Sequence, residues 1–524
     1  MASERRAEHV TSISRRQSLK LTGVLGASAA GLLYGTGGAG VARATGAAGP
    51  TRESTLIATW RGEDPTTAIT VQWLSSTESS RPVSLRSRAD DSTTDAEMSV
   101  AQFGTSSWYR HRAEFTGLTP DEEYVLVSGL QFVLDGDANP FVVRTAPDTL
   151  NDPLTFAEGG DVGTAPIVPD LHAQAASWDP LFGFVGGDLA YANGVNEDAW
   201  ITFLEHWSTY MRSGNRMIPI IAAIGNHEVE GGMNGTPEDA PFYYSLFDNT
   251  QHDHAYWAQD FGDYLSILVL DTNHSTQLTG EQMSWFDTAL DVRRNQDHLM
   301  VAYHVPAYPS AKPITGAGRE RESVRSELPP RFDEYDIDVA FEHDDHTYKR
   351  TKLLRDGEQS EDGILYLGDG SWGIGPRSVQ DRDYLAVAEG TSNVIRVEIS
   401  PDGTRAYRAV DAEGNLVDEY VDERDQVAVT PTPTATGTTA PTATETPETT
   451  APTPTDAPET TAPTATTAGS GPTEVLGTPT ETTGAEAPTT EGETPGFGFI
   501  GSLAGVSIGS YLAREYTRND ENET

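Results

Sequence analysis

The tetrapeptide Gly225-Asn226-His227-Glu228 directly follows an apolar run that extends from residue 218 to residue 224. A short, continuous apolar run of this kind is typical of a strand that is buried on both faces. Polar side chains that follow such a strand lie at its carboxyl end, where open α/β folds bind their ligands. The tetrapeptide therefore predicts a functional site at the end of a buried strand.

Four further polar clusters follow apolar runs in the same way. The runs are residues 154–156, 182–185, 298–301 and 338–341. The clusters are Asp161, Asp188 with Tyr191, His304, and His343-Asp344-Asp345-His346. Because the carboxyl ends of neighbouring parallel strands meet at one edge, we expect these clusters to converge on one site.

Strand-like runs alternate with helical stretches between residues 150 and 425, which predicts a layered α/β domain flanked by helices. Further strands are expected over 265–270, 363–367 and 392–400. Helices are expected over 198–211 and 281–293, the second with a capping box formed by Thr279 and Gln282.

Residues 50–147 have a different character, because apolar and polar positions alternate over several short segments separated by turns. This pattern predicts an all-β sandwich. The segment Phe115-Thr116-Gly117-Leu118-Thr119-Pro120, which precedes a tyrosine-containing strand, resembles a fibronectin type III module. We expect no catalytic group in this part of the chain.

The composition limits the possible partners and metal ligands. A formal net charge of -44, with lysine only at positions 20, 312, 349 and 352, indicates adaptation to high salt, as in halophiles, and a surface that repels nucleic acid and anionic membranes. The absence of cysteine excludes disulfides, thiol nucleophiles and thiolate ligands. Any metal must therefore be held by oxygen and nitrogen.

Both ends of the chain carry targeting patterns. Residues 1–45 contain Arg15-Arg16 before a weakly apolar run and Ala42-Arg43-Ala44, which predicts a twin-arginine signal peptide and export of the folded protein. Residues 427–494 are rich in Thr and Pro and predict a disordered stalk. Residues 495–524 begin Pro495-Gly496-Phe497 and resemble an archaeal PGF-type sorting signal, which implies cell-surface anchoring through a processed tail.

The polar clusters contain the ligand types that a pair of metal ions requires. A carboxylate can bridge two cations, and Asp188 is the natural bridging group. Asp161 and Asn226 offer oxygen ligands, and His304 and His346 offer imidazole nitrogens suited to zinc, iron or manganese. The sequence thus predicts a two-metal hydrolase.

In order and spacing these motifs resemble the calcineurin-like metallophosphoesterases, and Gly187-Asp188-Leu189-Ala190-Tyr191 resembles more narrowly the purple acid phosphatases. The resemblance implies a first metal, iron, on Asp161, Asp188, Tyr191 and His346. It implies a second metal, zinc, manganese or iron, on Asp188, Asn226, His304 and Asp344. Tyr191 could alternatively be an ordinary packing residue.

The chain departs from the family pattern at two places. Asp344 stands where the family has a histidine, which would shift the second site towards manganese or magnesium, and His343 is an alternative ligand. The family's histidine-rich stretch after the His304 motif is also absent. Lys312 or Arg319 could take its place near the phosphate, or be a solvated surface charge.

The resemblance implies an exported phosphatase that releases phosphate from small monoesters by attack of metal-bound hydroxide. His227 is the expected group to protonate or stabilise the leaving oxygen, although it could instead only orient the ligands. Two alternatives stay open. One is a phosphodiesterase or nucleotidase with the same chemistry, and the other is a non-catalytic surface-binding protein with a degenerate metal site.

Overall fold

A computed structural model defines the structure of the chain. The residues that it describes are 51–80, 82–128, 141–314, 319–368 and 370–424, and 51–54 and 319–320 are described by their backbone alone. The predicted signal peptide (1–45), stalk (427–494) and sorting segment (495–524) lie outside these residues. Among the described helices, none has the length and apolar character needed to cross a bilayer.

Among the described residues before position 150, the regular elements are all strands. These are β1 (Thr51–Thr59), β2 (Ala68–Ser75), β3 (Val83–Ser87), β4 (Thr93–Asp95), β5 (Glu97–Gln102), β6 (Tyr109–Thr116), β7 (Glu123–Ser128) and β8 (Val142–Arg144). Strands β1, β2, β6 and β5 belong to one sheet and β8, β7, β3 and β4 to another. Buried residues of both sheets, such as Val71 and Leu85, share one core cluster. The segment is therefore all-β, and its likeness to fibronectin type III stays a prediction.

The rest of the described chain alternates strands with helices. The strands are β9 (Leu154–Gly159), β10 (Gly183–Val185), β11 (Arg212–Ser213), β12 (Arg216–Met217), β13 (Ile220–Ala222), β14 (Trp257–Phe261), β15 (Leu265–Val269), β16 (His298–Ala302), β17 (Val339–Glu342), β18 (Tyr348–Thr351), β19 (Leu354–Arg355), β20 (Glu358–Gln359), β21 (Leu365–Gly368), β22 (Leu385–Glu389), β23 (Val394–Ile399), β24 (Arg405–Val410) and β25 (Leu416–Asp422). The α-helices are α1 (Val168–Ala176), α2 (Glu197–Tyr210), α3 (Pro241–Phe247), α4 (Glu281–Arg293), α5 (Arg319–Glu327) and α6 (Pro329–Tyr335).

Two large sheets organise this part of the chain. The first has the strand order β25-β24-β23-β9-β10-β13-β1-β2-β6-β5, and the second has the order β14-β15-β16-β17-β21-β18-β22. Strands β9, β10 and β13 are mutually parallel, as are β15, β16, β17 and β21. Parallel strands require crossover connections, which explains the alternation of strands with helices.

Alternating side chains of the strands face different layers. Phe156 and Val397 of the first sheet share one core cluster with Ile267 and Phe341 of the second. The opposite faces pack against helices, α1 and α2 on the first sheet and α4 to α6 on the second. Since side chains alternate between the faces of a strand, the result is a layered β-sandwich flanked by helices, as predicted.

The β-rich segment is joined to the rest through backbone hydrogen bonds. Strand β1 pairs in parallel with β13, with Thr59 opposite Ile220, and β8 pairs with β12, with Val142 opposite Arg216. One sheet thus runs across the boundary expected between residues 50–147 and 150–425. That division stays a prediction.

The predicted helices over 198–211 and 281–293 are confirmed, but the capping box at the second one is wrong. The N-cap residue of α4 is Gly280, without a side-chain cap. Gln282 is buried instead, and its side-chain amide donates to the carbonyl oxygen of Asp271 and accepts from the backbone nitrogen of the same residue. The side chain of Gln282 therefore bonds to a distant backbone segment instead of capping the helix.

Candidate metal centre

The structure brings the candidate residues together where the carboxyl ends of the parallel strands of both sheets lie close to one another. Asp161 follows β9, and Asp188 and Tyr191 follow β10. Asn226 and His227 lie in a short 3-10 helix, Asn226–Glu228, after β13. His304 follows β16, and Asp344 and His346 follow β17. Seven of these eight are metal-ligand candidates, and His227 is the catalytic candidate.

Five of the seven ligand candidates have a left-handed backbone conformation. Their φ angles are 56° at Asp161, 55° at Asp188, 55° at Tyr191, 74° at Asp344 and 54° at His346. Such angles are uncommon outside glycine, and clusters of them occur at functional sites, where the surrounding structure enforces them. The strand ends are therefore bent so that these side chains converge.

The first group of donors centres on Asp161, which is fully buried. The Tyr191 hydroxyl donates to Oδ1 of Asp161 at 2.9 Å, and Nε2 of His346 lies 3.0 Å from the same oxygen. The Tyr191 oxygen is itself 3.0 Å from Nε2 of His346. Carboxylate, phenol and imidazole donors thus lie within hydrogen-bonding distance of one another.

The second group centres on His304, which is also fully buried. Its Nε2 atom lies 3.4 Å from Oδ2 of Asp188, 3.3 Å from Oδ1 of Asn226 and 3.7 Å from Oδ1 of Asp344. Its Nδ1 atom is 2.9 Å from the carbonyl oxygen of Gly186 and must donate to it. Outer hydrogen bonds of this kind fix the tautomer of a ligating histidine, and here they direct Nε2 towards the oxygens.

The electrostatics of the site favour a bound cation. Burial alone would lower the pKa of His304, but Asp188, Asp161 and Asp344 raise it to about 10. Burial and the charge of Asp188 raise the pKa of Glu228 to about 8. The shift of His304 reflects the concentration of negative charge in a buried space, which is the condition that a pair of metal ions would relieve.

The donor set fits metal ions. Donor atoms of Asp161, Asp188 and His304 all lie within 4.8 Å of one another. Asp188 therefore lies within reach of donors from both groups, as a bridging carboxylate must. Carboxylate, phenol, amide and imidazole donors together suit iron, manganese or zinc, in agreement with the absence of thiolates.

His227 lies beside the donors and reaches the surface. Its side chain is 31% exposed, and its Nε2 atom is 3.8 Å from Oδ2 of Asp188. Its ring stacks on that of Tyr191 with centroids 4.1 Å apart. The Nδ1 atom is hydrogen-bonded to the Asn193 side-chain oxygen, which leaves Nε2 as the nitrogen facing the site.

His343 and Asp344, which are adjacent in the last motif, have different surroundings. His343 lies behind the site, where its Nε2 atom is 2.6 Å from Oε1 of buried Glu158 and Nδ1 is 2.9 Å from the carbonyl oxygen of Tyr303. Both ring nitrogens of His343 are thus directed away from the donor groups, and its alternative role as a ligand stays a prediction. Asp344 belongs to the second group of donors, with its Oδ1 atom 3.7 Å from Nε2 of His304.

Cationic side chains surround Asp344. The Lys312 Nζ atom is 2.9 Å from its Oδ1, and Arg321 donates to its Oδ2. Burial opposes ionisation, but Lys312, Arg321 and His304 hold the pKa of Asp344 well below its usual range. Of the two cations considered from the sequence, Lys312 is at the site, whereas the Arg319 side chain lies outside the described residues.

Three contributors to the site are not among the predicted site residues. Arg321 is on α5, Asn193 orients His227, and Glu228 accepts hydrogen bonds from the backbone of the Asp188 loop. Glu228 is the last residue of the tetrapeptide that begins at Gly225, and its place in this motif already indicates a role at the site. Nothing in the local sequence distinguishes Arg321 from its neighbours on a charged helix.

Comparison with curated proteins finds distant relatives. No protein-family model matches the chain. An uncharacterised protein of Mycobacterium tuberculosis is 28% identical over 280 residues, which cover 47% of this chain and 51% of that protein. Purple acid phosphatase 21 of Arabidopsis thaliana is 24% identical over 290 residues, 54% of this chain and 62% of the relative. The chain therefore spans between half and two thirds of the length of these relatives.

Two solved structures share the fold. A purple acid phosphatase from yellow lupin seeds aligns with a TM-score of 0.56 at 15% identity, covering 71% of this chain and 75% of that one. PhoD aligns with a TM-score of 0.52 at 12% identity, covering 72% and 90%. The layered α/β fold expected from the resemblance to metallophosphoesterases is thereby confirmed.

Proposed function

We propose that this chain is a two-metal phosphatase that hydrolyses small phosphate monoesters. The observation that carries the proposal is the position of Asp188, whose carboxylate lies within 4.8 Å of donor atoms of both Asp161 and His304. A buried carboxylate shared by two groups of oxygen and nitrogen donors is the arrangement that a dinuclear hydrolase requires.

Each group would hold one metal ion. Asp161, Asp188, Tyr191 and His346 would hold the first, and Asp188, Asn226, His304 and Asp344 the second. When bound, such a pair supplies Lewis acidity to the phosphoryl group and lowers the pKa of water, so that hydrolysis proceeds near neutral pH. Tyr191 supports iron at the first site, and the second site would take zinc, manganese or iron.

His227 would deliver a proton to the leaving oxygen. Its Nδ1 atom is engaged by Asn193, so that Nε2 is available at the open side of the site. An imidazole within reach of the substrate is suited to general-acid catalysis in its imidazolium form, in which Nδ1–H donates to Asn193 and Nε2–H faces the leaving oxygen. The stacking on Tyr191 fixes the plane of the ring.

The first test is phosphate release from p-nitrophenyl phosphate by the full chain, purified in high salt. Replacing His227 by Asn is expected to lower kcat by about 10²- to 10⁴-fold with unchanged metal content. His206→Asn is the matched control, because His206 lies on α2 against Tyr210. A chain that neither binds a transition metal nor hydrolyses the ester would be a surface-binding protein instead.

The visible spectrum tests the first metal. A tyrosinate-to-iron absorption band that disappears in Tyr191→Phe, with ring stacking on His227 retained, is expected for iron at the first site. Activity with two metals and no such band would assign Tyr191 a packing role.

We further propose that the enzyme works at the cell surface. Support comes from the sequence patterns around Arg15-Arg16 and Pro495-Gly496-Phe497 and from the Thr/Pro-rich stretch between residues 427 and 494. A double variant, Arg15→Lys with Arg16→Lys, is expected to retain the protein inside the cell. Normal export of this variant would contradict twin-arginine transport.

A further inference from the structure

The cations around Asp344 form a connected group. Lys312 and Arg321 contact its carboxylate, and Nη1 of Arg377 donates to its backbone oxygen at 3.1 Å. Nη2 of Arg382 donates to the carbonyl oxygen of Lys312 at 3.1 Å. In a chain with a net charge of -44, four cationic side chains are therefore connected through Asp344 and Lys312, and two of them contact a metal-ligand candidate.

This group lies beside the carboxylates of the site. Oδ1 of Asp345 is 3.7 Å from Nη2 of Arg321, and Oδ2 of Asp161 accepts a hydrogen bond from the backbone nitrogen of Asp344. The cations therefore offset part of the negative charge that Asp161, Asp188 and Asp344 concentrate there. Cationic side chains beside a buried site attract and orient an anionic substrate.

The backbone segments that carry Lys312 and Arg321 are fixed by contacts with neighbouring residues. Oδ2 of Asp345 accepts hydrogen bonds from the backbone nitrogens of Ala311 at 2.6 Å and Lys312 at 3.1 Å, which fixes the loop that carries Lys312. Helix α5, which carries Arg321, is anchored by Arg325, whose guanidinium lies 4.3 Å from the ring centre of Tyr308. Side chains fixed before binding lose little entropy when a ligand arrives.

The chemistry of these groups suits a phosphate with exposed oxygens. An ammonium group has three N–H donors and a guanidinium has five, in a fork that matches two oxygens of one phosphate. The Lys312 side chain is 21% exposed and therefore accessible from solvent. A monoester phosphate carries close to two negative charges near neutral pH, whereas a diester carries one and has fewer unesterified oxygens.

We propose that Lys312 and Arg321 bind the phosphate oxygens and make the site selective for the dianionic phosphate of a monoester over the monoanionic phosphate of a diester. The inference rests on the proposed phosphatase function and names the groups that determine its substrate class. Both residues act on the substrate directly, in addition to their contact with Asp344.

The test compares two substrates and two ligands with four variants of the full, metal-loaded chain. kcat/KM is measured for p-nitrophenyl phosphate and for bis(p-nitrophenyl) phosphate, and calorimetry gives Kd for inorganic phosphate and for dimethyl phosphate. The variants are Lys312→Gln and Arg321→Gln. The controls are Lys352→Gln, which removes a lysine whose Nζ atom donates to the backbone oxygen of Asp383 at 2.6 Å, and Arg331→Gln on α6, where Arg331 contacts Asp287.

The expected result is a loss of kcat/KM for the monoester that exceeds the loss for the diester by about tenfold or more in Lys312→Gln and Arg321→Gln. Phosphate binding should weaken in parallel and dimethyl phosphate binding should change little. Metal content should stay at the wild-type value, and the controls should keep both activities.

Three outcomes would overturn the inference. Equal losses for both substrates with metal retained would leave the phosphatase function intact and remove the selectivity role. Loss of metal in parallel with both activities would assign Arg321 the role of holding Asp344, and Lys312→Gln decides the matter if Arg321→Gln does not fold. A wild-type chain that hydrolyses neither ester would overturn the proposed function itself.

Discussion

The carboxylate of Glu228 lies 2.8 Å from the backbone nitrogen of Asp188 and accepts a hydrogen bond from it. The same carboxylate accepts from the backbone nitrogens of Leu189 and Gly225, each at 2.8 Å. Glu228 is fully buried. It therefore joins the loop after β10 to the loop after β13 and fixes the position of the bridging candidate, Asp188.

Replacing Glu228 by Gln is expected to destabilise the fold and weaken metal binding together. The amide presents an NH₂ group to backbone donors, so at least one buried N–H loses its acceptor, at a cost of about 1–3 kcal/mol. Chemical unfolding and elemental analysis measure the two effects. Glu230→Gln is the control, because Glu230 is exposed two residues away. Unchanged stability and metal content in Glu228→Gln would contradict this role.

Asn193 is expected to control the orientation of His227. Asn193→Gly removes the acceptor for Nδ1 while tolerating the φ angle of 50° at this position. We expect kcat to fall by about 10- to 100-fold with metal content unchanged. Asn193→Asp keeps an acceptor oxygen and should retain most of the activity. If the Gly and Asp variants behave alike, His227 does not depend on Asn193.

Gly225 allows the close approach of two loops at the site. A Cβ atom at this position would lie 2.2 Å from Oδ1 and 2.5 Å from the backbone nitrogen of Asp188. Gly225→Ala must therefore displace Asp188, and we expect metal affinity to fall by about tenfold or more. Gly375→Ala is the matched control, because its Cβ would have nothing within 4 Å. Wild-type affinity in Gly225→Ala would show that Asp188 is not a ligand.

His172 is expected to make the fold sensitive to acid. It is fully buried against Trp207 and Trp372, and burial together with His206 lowers its pKa to about 3. Since the unfolded chain binds a proton near pH 6.5, the stabilising contribution is complete above that pH and is lost as the pH falls towards 3. Between pH 7.5 and pH 5 the loss amounts to about 2 kcal/mol.

His172→Phe removes this titration. Guanidinium unfolding of both proteins at pH 7.5 and pH 5 should show that the wild type loses about 2 kcal/mol more than the variant. Equal losses in the two proteins would mean that His172 does not titrate in this range.

The sequence predicted those parts of the fold that depend on local pattern. The apolar runs before Asp161, Asp188, Asn226, His304 and His343 are strands, because each contains the continuous hydrophobic residues that a strand buried on both faces needs. Helix α4 begins and ends at the predicted residues, Glu281 and Arg293. The convergence of the polar clusters follows from the parallel direction of these strands.

The features that escaped prediction depend on contacts between distant residues. His343 and Asp344 are adjacent in sequence, yet one faces Glu158 behind the site and the other faces Lys312 in front. Their directions are set by backbone angles such as the φ of 74° at Asp344, which no periodicity reveals. The pairing of β1 with β13 likewise joins residues 161 positions apart.

The most direct test of a two-metal centre is the metal content of the full chain and of Asp188→Asn, measured by elemental analysis alongside hydrolysis of p-nitrophenyl phosphate. The control is Asp291→Asn, because the Asp291 side chain is 66% exposed. We expect two metal ions per wild-type and control chain, with phosphate release, and loss of both metal and activity in Asp188→Asn. Full metal content in Asp188→Asn, or phosphate release by a chain freed of metal, would contradict a two-metal centre bridged by Asp188.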